Sequence, residues 1–233
     1  MDFQNRHVIV TGGTGALGTV LVGLLLNAGA QCHVPYSSHT KPETYPHKDH
    51  PKLKLIPSGS LADEDTVAQL YESVPDLWAS IHVAGGYAGG KIVDTDKADL
   101  MKLIEINLMT SYLCCRAAVR AMQQRQSGGR IVNVSARPGL EWRTGTNQTA
   151  YAASKAAVAA LTAALAEEVA KEGILVNAVV PSVMDTAANR ESMPKANHAN
   201  WPKVEEVAQT ILFLASPDNQ VTRGGLVPVY GRS

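Results

Sequence analysis

Short apolar strands and apolar helices alternate along this chain, and that alternation restricts the fold more than any other feature of the sequence. The first strand, His7–Thr11, stops at Gly12-Gly13, and the helix pattern that follows covers residues 17–25 and stops at Gly29. Such alternation implies right-handed crossovers and a parallel sheet with helices on both faces. The prediction is an α/β fold, a doubly wound parallel sheet of about seven strands. Six further strands are predicted, at residues 31–35, 53–57, 79–83, 130–134, 174–180 and 226–230.

The rest of the pattern consists of helices and two irregular segments. Residues 37–51 are polar and contain prolines, which predicts a surface loop, and residues 184–201 lack periodicity, which predicts a mobile flap. With 233 residues and no internal repeat, we expect residues 1–233 to form a single domain of Rossmann type. Further helices are predicted at residues 63–74, 96–126 and 150–171, the second of them in two segments that meet near Asn107.

Composition and charge exclude several classes of function. The formal net charge is zero, so the charge balance indicates neither a nucleic acid nor an anionic membrane as a partner. No apolar run reaches the length of a membrane span, and the first residues do not have the form of a signal peptide. Cys32, Cys114 and Cys115 show no metal-binding or disulfide spacing. We therefore expect structural thiols, no metal site and a cytoplasmic location.

The turn after the first strand is rich in glycine. Glycines there would let the backbone approach a pyrophosphate, whose charge is stabilised by free N–H groups at the start of the next helix. A tight turn is the alternative, but the position directly after strand one favours a dinucleotide site. A Walker-type phosphate loop is excluded because Thr19, and not lysine, follows Gly18. The candidate cofactor-binding residues are Gly12, Thr14, Gly15, Ala16, Leu17 and Gly18.

Tyr151 and Lys155 stand at the start of a long alanine-rich helical pattern. Four residues apart on a helix, they share one face at a separation of about 6 Å along the axis. An ammonium at that distance stabilises a phenolate, which predicts a tyrosine that exchanges its proton near neutral pH. A surface pair without function is the alternative, since this spacing is common on helices.

Taken together, these features resemble the short-chain dehydrogenase/reductase family over essentially the whole chain. The glycine turn is similar to the family's TGxxxGxG motif, with Ala16 in place of the middle glycine, and Tyr151 with Lys155 matches YxxxK. One departure is that His82-Val83 stand where the family has two asparagines. Further matches occur in the family's order, at Ala84-Gly85, Asn107, Asn177, Pro181 and Thr186.

The resemblance implies an NAD(P)-dependent oxidoreductase that transfers hydride between nicotinamide and a small carbonyl or imine substrate. It implies that Tyr151 is the acid/base, that Lys155 bonds the ribose and lowers the tyrosine pKa, and that Asn107 holds the lysine and a relay water. It also implies a homotetramer, or else a homodimer, paired through helices at residues 107–126 and 150–171. The further cofactor contacts that it implies are Ala84, Gly85, Gly86, Pro181, Val183 and Thr186.

A second departure concerns the serine that usually holds the substrate oxygen after the fifth strand. Its position falls on Ala136, and Ser135 lies one residue earlier, where a strand side chain points to the opposite face. Ser135 remains a catalytic candidate because the following loop is longer than usual, which leaves the register open. Residues 83–90 and 185–194 resemble dihydropteridine reductases, which likewise lack this serine, so a pterin-like substrate is among the candidates.

The end of the second strand bears on the choice of cofactor. An acidic residue there would bond the adenosine ribose and repel a 2′-phosphate, but the chain has Tyr36, Ser37 and Ser38 instead. We therefore expect NADP(H), with NAD(H) as the alternative. A second class of function also stays open, a non-catalytic NAD(P)-binding sensor or scaffold, which Ala136 and His82 favour.

Overall fold

Seven parallel strands form one sheet in the computed structural model, which describes residues 1–37, 40–126 and 128–233. The predicted strands agree closely with these, except that the fourth begins at Leu77, which pairs with His7 across a bulge. The strands are β1 His7–Thr11, β2 Gln31–Tyr36, β3 Leu53–Pro57, β4 Leu77–His82, β5 Gly129–Val134, β6 Ile174–Pro181 and β7 Leu226–Val229.

The order of strands in the sheet is β3-β2-β1-β4-β5-β6-β7. From β1 the chain moves outward to β3, returns to β4 beside β1, and then moves outward again to β7. At this reversal the connections after β1 and β4 lead to opposite sides of the sheet, which leaves a crevice where such folds bind ligands. The predicted α/β fold of Rossmann type is confirmed.

Helices cover both faces of the sheet because neighbouring strand residues point to opposite sides. The helices are α1 Ala16–Asn27, α2 Glu64–Glu72, α3 Lys97–Leu103, α4 Thr110–Arg125, α5 Arg137–Leu140, α6 Thr149–Glu168, α7 Ala187–Ser192 and α8 Val204–Ala215. Val8 and Val10 lie in one hydrophobic core with α1 and α8, and Ile9 lies in the other with α2, α4 and α6. Of the long helices, α8 is not among those predicted.

The predicted break near Asn107 is a turn of π-helix, Ile104–Met109, between α3 and α4. Asn107 is fully buried there, and its carbonyl oxygen accepts a hydrogen bond from Ser111 Oγ at 2.7 Å. Such π turns re-aim the side chains around them and are frequent at functional sites. The prediction of two helical segments is confirmed.

The connection between β2 and β3 packs against the glycine turn and α1. Its described part contains a 3₁₀ turn at Pro42–Thr44 in place of a crossover helix. Tyr45 is buried, and its hydroxyl donates a hydrogen bond to Gly13 O at 3.0 Å. The His47 ring lies 3.1 Å from Thr19 O. Apart from Tyr45, the described residues of this segment are exposed or half-buried, as the predicted surface loop requires. Two aromatic rings anchor the segment to the body of the protein.

Residues 184–201 are more regular than their sequence predicts. They contain α7 and a 3₁₀ turn, His198–Asn200. Asp185 forms an ion pair with Arg190 across the start of α7, with 2.5 Å between Oδ1 and Nε. Short elements of this kind are started by polar caps and local ion pairs, which hydrophobic periodicity does not reveal.

One helix, α6, is long and apolar enough to pass as a membrane span by length and composition. Its buried residues include Ser154, Lys155 and Thr162, and it packs against β6 and α5. Polar side chains on the buried face are typical of a helix that covers a sheet and carries functional groups. The helix that carries Tyr151 and Lys155 is thus part of the protein's own core.

Candidate active site

A cleft of about 990 Å³ opens at the carboxyl ends of β1, β4, β5 and β6. The glycine turn after β1 lines one part of it, and Tyr151 and Lys155 of α6 line another. The cleft lies at the reversal point between β1 and β4, where doubly wound sheets bind ligands. The fold therefore brings the two predicted site features, which are distant in sequence, into one cavity.

The glycine turn has a shape that side chains would destroy. Gly12 has a φ of +65°, and a Cβ there would lie 2.6 Å from Ala84 N, while a Cβ at Gly18 would collide with Gly12 O. At Gly15 a Cβ would meet Gly12 O at 3.4 Å, an ordinary contact, so glycine there keeps the cleft open instead of relieving a clash. Gly15 is also the N-cap of α1 and offers no side chain to the N–H groups of the first turn. These features fit the pyrophosphate of a dinucleotide.

The loop after β4 passes over two polar side chains. A Cβ at Gly85 would lie 2.7 Å from Asn107 Oδ1 and 3.2 Å from Lys155 Nζ. Asn107 Oδ1 accepts a hydrogen bond from Gly86 N at 2.9 Å, and its Nδ2 donates to Gly86 O at 3.0 Å and to Ser154 Oγ at 3.1 Å. Asn107 therefore ties this loop to α6 at the residue next to Lys155.

Lys155 is a buried cation with a backbone partner. Its Nζ donates a hydrogen bond to Val134 O at 2.9 Å, at the end of β5. Burial lowers the pKa of Lys155 to about 8. At neutral pH most of the ammonium is still protonated, so the site holds a fixed positive charge.

Tyr151 lies against a second tyrosine. Its ring packs edge-on against Tyr87, with 5.0 Å between the centroids and 78° between the planes. Burial, and after it the neighbouring Tyr87 phenol, raise the pKa of Tyr151 to about 12. The downward shift predicted from the helical spacing is thus wrong. Loss of water around the phenolate is the larger cause of the rise, and the Lys155 ammonium is directed at Val134 O.

Ser135, a candidate for holding the substrate oxygen, has another role. Its hydroxyl donates a hydrogen bond to Lys155 O at 2.8 Å, and the side chain is buried. Ala136, the position where the family carries its serine, follows directly and also lines the cleft. The hydroxyl of Ser135 therefore joins β5 to α6. Ser135 also lines the cleft, and its catalytic role stays a prediction.

Most of the predicted cofactor-binding residues line the cleft, namely Gly12, Gly15, Ala16, Leu17, Gly18, Ala84, Gly85, Gly86, Tyr151, Lys155, Pro181 and Val183. Thr14, Tyr36, Ser37 and Thr186 are not among its lining residues, and Ser38 lies outside the described residues. Tyr36 ends β2, on the far side of β1 from the Tyr151 end of the cleft. Thr186 caps α7, where its Oγ1 accepts a hydrogen bond from Asn189 N at 3.2 Å.

Several lining residues are missing from the predicted site residues, among them the polar residues Arg137, Gln148 and Asn189. A signal existed for Arg137, because it comes directly after the position where the family carries its serine. Gln148 comes shortly before Tyr151, and Asn189 lies on α7, which the sequence did not reveal. Proximity to a motif in the chain was thus the available guide.

The fold, the glycine turn and the cleft define a dinucleotide-binding protein of the Rossmann class. Residues 6–197 match the family model described as short chain dehydrogenase. The chain belongs to the short-chain dehydrogenase family.

Similar proteins align with almost the whole chain. Galactitol 2-dehydrogenase of Rhizobium johnstonii is 33% identical over 242 residues, which cover 97% of this chain and 94% of that protein. The 3-oxoacyl-[acyl-carrier-protein] reductase FabG of Rickettsia felis is 28% identical over 241 residues, 99% of this chain and 98% of that protein. The solved structure of ElxO with NADP bound has the same fold, with a TM-score of 0.87 at 24% identity over 97% of both chains. The protein is accordingly an NAD(P)H-dependent oxidoreductase.

Proposed function

We propose that this enzyme reduces a small carbonyl or imine substrate with NADPH, and that Tyr151 donates the proton. The observation that carries the proposal is the meeting of three groups in one cleft: the Tyr151 side chain, the Lys155 ammonium and the glycine turn at the start of α1. They come from distant parts of the chain. Together they offer a proton, a fixed positive charge and a phosphate site.

The lining of the cleft fits a nicotinamide dinucleotide. Gly12, Gly15 and Gly18 would hold its pyrophosphate. Residues 84–86 would contact the half of the cofactor that lies deeper in the cleft, and Lys155 would bond its ribose hydroxyls. When bound, the cofactor supplies a hydride from its nicotinamide ring. NADP(H) is favoured over NAD(H), since no acidic residue ends β2 to repel a 2′-phosphate.

Tyr151 supplies the proton in this scheme. As hydride adds to the carbonyl carbon, the oxygen gains negative charge and takes the Tyr151 proton, which gives an alcohol, and an imine gives an amine in the same way. A pKa of about 12 keeps the hydroxyl protonated at neutral pH, as the reducing direction requires. An alkoxide is a stronger base than a phenolate, so this proton transfer is favourable. The family resemblance assigns the return of the proton to a water held by Asn107.

Large apolar and aromatic side chains form part of the cleft lining. They include Tyr87, Val183, Met184, Met193 and Trp201. Aromatic and thioether side chains pack well against flat rings, and a few polar groups then fix the orientation. A small, flat carbonyl or imine compound suits this lining.

Oxidation of NADPH, followed by its absorbance, tests the proposal. The panel contains small aldehydes and ketones, 3-oxoacyl thioesters and quinonoid dihydropterins, the last because residues 83–90 and 185–194 resemble dihydropteridine reductases. Turnover that Tyr151→Phe loses supports the proposal. NADPH binding without turnover of any compound would favour the sensor or scaffold, and full turnover by Tyr151→Phe would exclude Tyr151 as the donor.

The proposal also covers the setting of the enzyme. We infer a small-molecule substrate, neither a nucleic acid nor a membrane as partner, and a homotetramer or, failing that, a homodimer. The cysteines are buried free thiols, which suits a reducing cytoplasm.

A further inference from the structure

The cleft contains a cation that the proposed reaction does not use. Among its described lining residues, Arg137 and Lys155 carry the charged side chains, and none has a carboxylate side chain. Lys155 is bonded to Val134 O and, in the proposed function, to the cofactor ribose. Arg137 is therefore a cationic lining residue to which neither the cofactor nor the proton transfer gives a role.

Arg137 lies at the substrate end of the cleft. It is the first residue of α5, directly after Ala136, at the carboxyl end of β5. In the sheet β4 separates β5 from β1, whose glycine turn would hold the pyrophosphate. Two residues further on, a Cβ at Gly139 would lie 2.6 Å from the Lys155 carbonyl carbon. The backbone of α5 therefore packs closely against α6, beside the proposed proton donor. An anion bound at Arg137 would thus belong to the substrate and not to the cofactor pyrophosphate.

Two contacts hold the guanidinium group of Arg137 in place. Its Nε donates a hydrogen bond to Glu141 Oε2 at 2.7 Å, and its Cζ lies 4.8 Å from the centre of the Tyr230 ring. Within the described residues, neither Nη1 nor Nη2 has a hydrogen-bond partner. The edge formed by these two nitrogens matches the two oxygens of a carboxylate. The side chain is thus oriented while its outer donors stay available.

We propose that Arg137 binds an anionic group of the substrate, so that the enzyme prefers a carbonyl compound with a carboxylate over its neutral ester. This inference rests on the proposed function, because it puts the carboxylate in the same cleft as Tyr151. The competing explanation is an ion pair between Arg137 and Glu141 and nothing more. Their side chains are 32% and 43% exposed, and pairs of that kind contribute little to stability.

The test compares 4-formylbenzoate with its methyl ester, which share an aldehyde and a ring and differ in charge. We expect the wild-type enzyme to have the lower KM for the acid. Arg137→Met should raise the KM for the acid about 10- to 100-fold and change that for the ester by less than about twofold, because a bidentate charged contact is lost. The affinity for NADPH should stay unchanged.

Two further variants sharpen the comparison. Arg143→Met removes an exposed cation from the same segment that is not among the residues lining the cleft, so it should leave both KM values unchanged. Arg137→Lys keeps the charge but loses the planar fork, so its KM for the acid should fall between those of the wild type and Arg137→Met.

Equal effects of Arg137→Met on acid and ester would overturn the inference, as would a wild-type enzyme with no preference for the acid. Where neither aldehyde turns over, their binding to the enzyme–NADPH complex, measured by quenching of NADPH fluorescence, replaces KM in the same comparison. Absence of hydride transfer with every substrate counts against the proposed function. Equal affinity for the acid and the ester, or no binding of either probe, counts against the role of Arg137 alone.

Discussion

Lys155 Nζ lies 2.9 Å from Val134 O, so the end of β5 receives the hydrogen bond of this ammonium. The positive charge is therefore fixed by the sheet before any ligand arrives. The helical spacing of Tyr151 and Lys155 puts both residues on the cleft side of α6, but the tertiary contact decides where the ammonium points. The direction of the ammonium therefore follows from the sheet and not from the helix.

The roles of Tyr151 and Ser135 can be separated by two substitutions. Tyr151→Phe should slow single-turnover hydride transfer about 10²- to 10⁴-fold, because the ring keeps its shape and loses the proton. Ser135→Ala should cost less than about tenfold, because its hydroxyl is bonded to Lys155 O and not to the substrate. NADPH affinity, measured by titration, serves as the control for folding. A similar loss of hydride-transfer rate in both variants would mean that Ser135 holds the substrate oxygen.

Two glycines of the same turn should respond differently to alanine. Gly18→Ala puts a Cβ against Gly12 O, so it should lower the free energy of unfolding by about 1–3 kcal/mol. Gly15→Ala makes an ordinary contact within the protein but projects into the cleft, so it should weaken NADPH binding and cost less stability than Gly18→Ala. Thermal unfolding and NADPH titration measure the two effects. Undiminished affinity in Gly15→Ala would place the pyrophosphate elsewhere.

The choice of cofactor is testable without any substrate. Since no acidic residue ends β2, NADPH should bind more tightly than NADH. Side-by-side fluorescence titrations at one ionic strength give both dissociation constants. Tyr36→Asp should reverse the order, because a carboxylate there bonds the ribose hydroxyl and repels a 2′-phosphate. Tighter binding of NADH to the wild type would refute the assignment.

Acid should destabilise the protein through His82. This ring is buried between Ser80 Oγ at 2.8 Å and Asn133 Oδ1 at 2.7 Å, and burial lowers its pKa from 6.5 to about 4. Between those pH values the unfolded chain binds a proton that the folded protein does not, so stability falls as pH falls. The contribution of His82 to that loss is about 3 kcal/mol.

The contribution of His82 is isolated by comparing how the stability of the wild type and of His82→Asn depends on pH. Burial likewise lowers the pKa of His33 to about 4, but His33 is present in both proteins and its contribution cancels. Urea unfolding at a series of pH values should give a shallower acid dependence for the variant, whatever its stability at neutral pH. Parallel curves would show that His82 does not carry the linkage.

The assembly can be checked by light scattering at micromolar concentration. Exposed apolar side chains occur on α3 and α4, including Met101 and Tyr112, and we expect a homotetramer, or else a homodimer. Tyr112→Glu should shift the population toward smaller species, because a charge would be buried in the contact. A monomeric wild type would contradict both assemblies.

The sequence was informative wherever the signal is local. The strand Leu53–Pro57 was predicted to the residue, because the apolar run and its boundaries lie within the strand itself. The break at Asn107 and the glycine turn were likewise predicted, since each follows from a motif at one place in the chain. Hydrophobic periodicity and glycine placement are properties of neighbouring residues.

Contacts between distant segments could not be predicted in this way. The pKa of Tyr151 depends on burial beside Tyr87, which the loop after β4 brings into place. The hydrogen bond from Ser135 to Lys155 O joins β5 to α6, and no spacing rule encodes it. Arg137 lay next to the family's serine position, but its place in the cleft follows from the seating of α5 on α6.

The hydroxyl of Tyr45 bears on any attempt to change the cofactor of this enzyme. It bonds Gly13 O from the side of the turn that faces away from the cleft, so the segment that leads from β2 to β3 supports the backbone that would hold the phosphates. The end of β2 and the loop behind it are the segment to exchange for a change of cofactor preference, because an acidic residue there bonds the ribose and an arginine accommodates a 2′-phosphate. Here a graft of residues 37–51 would remove this support together with Ser37 and Ser38, which are predicted to contact the cofactor. A redesign of nucleotide choice would therefore have to keep Tyr45, or it would alter phosphate binding and nucleotide selection at the same time.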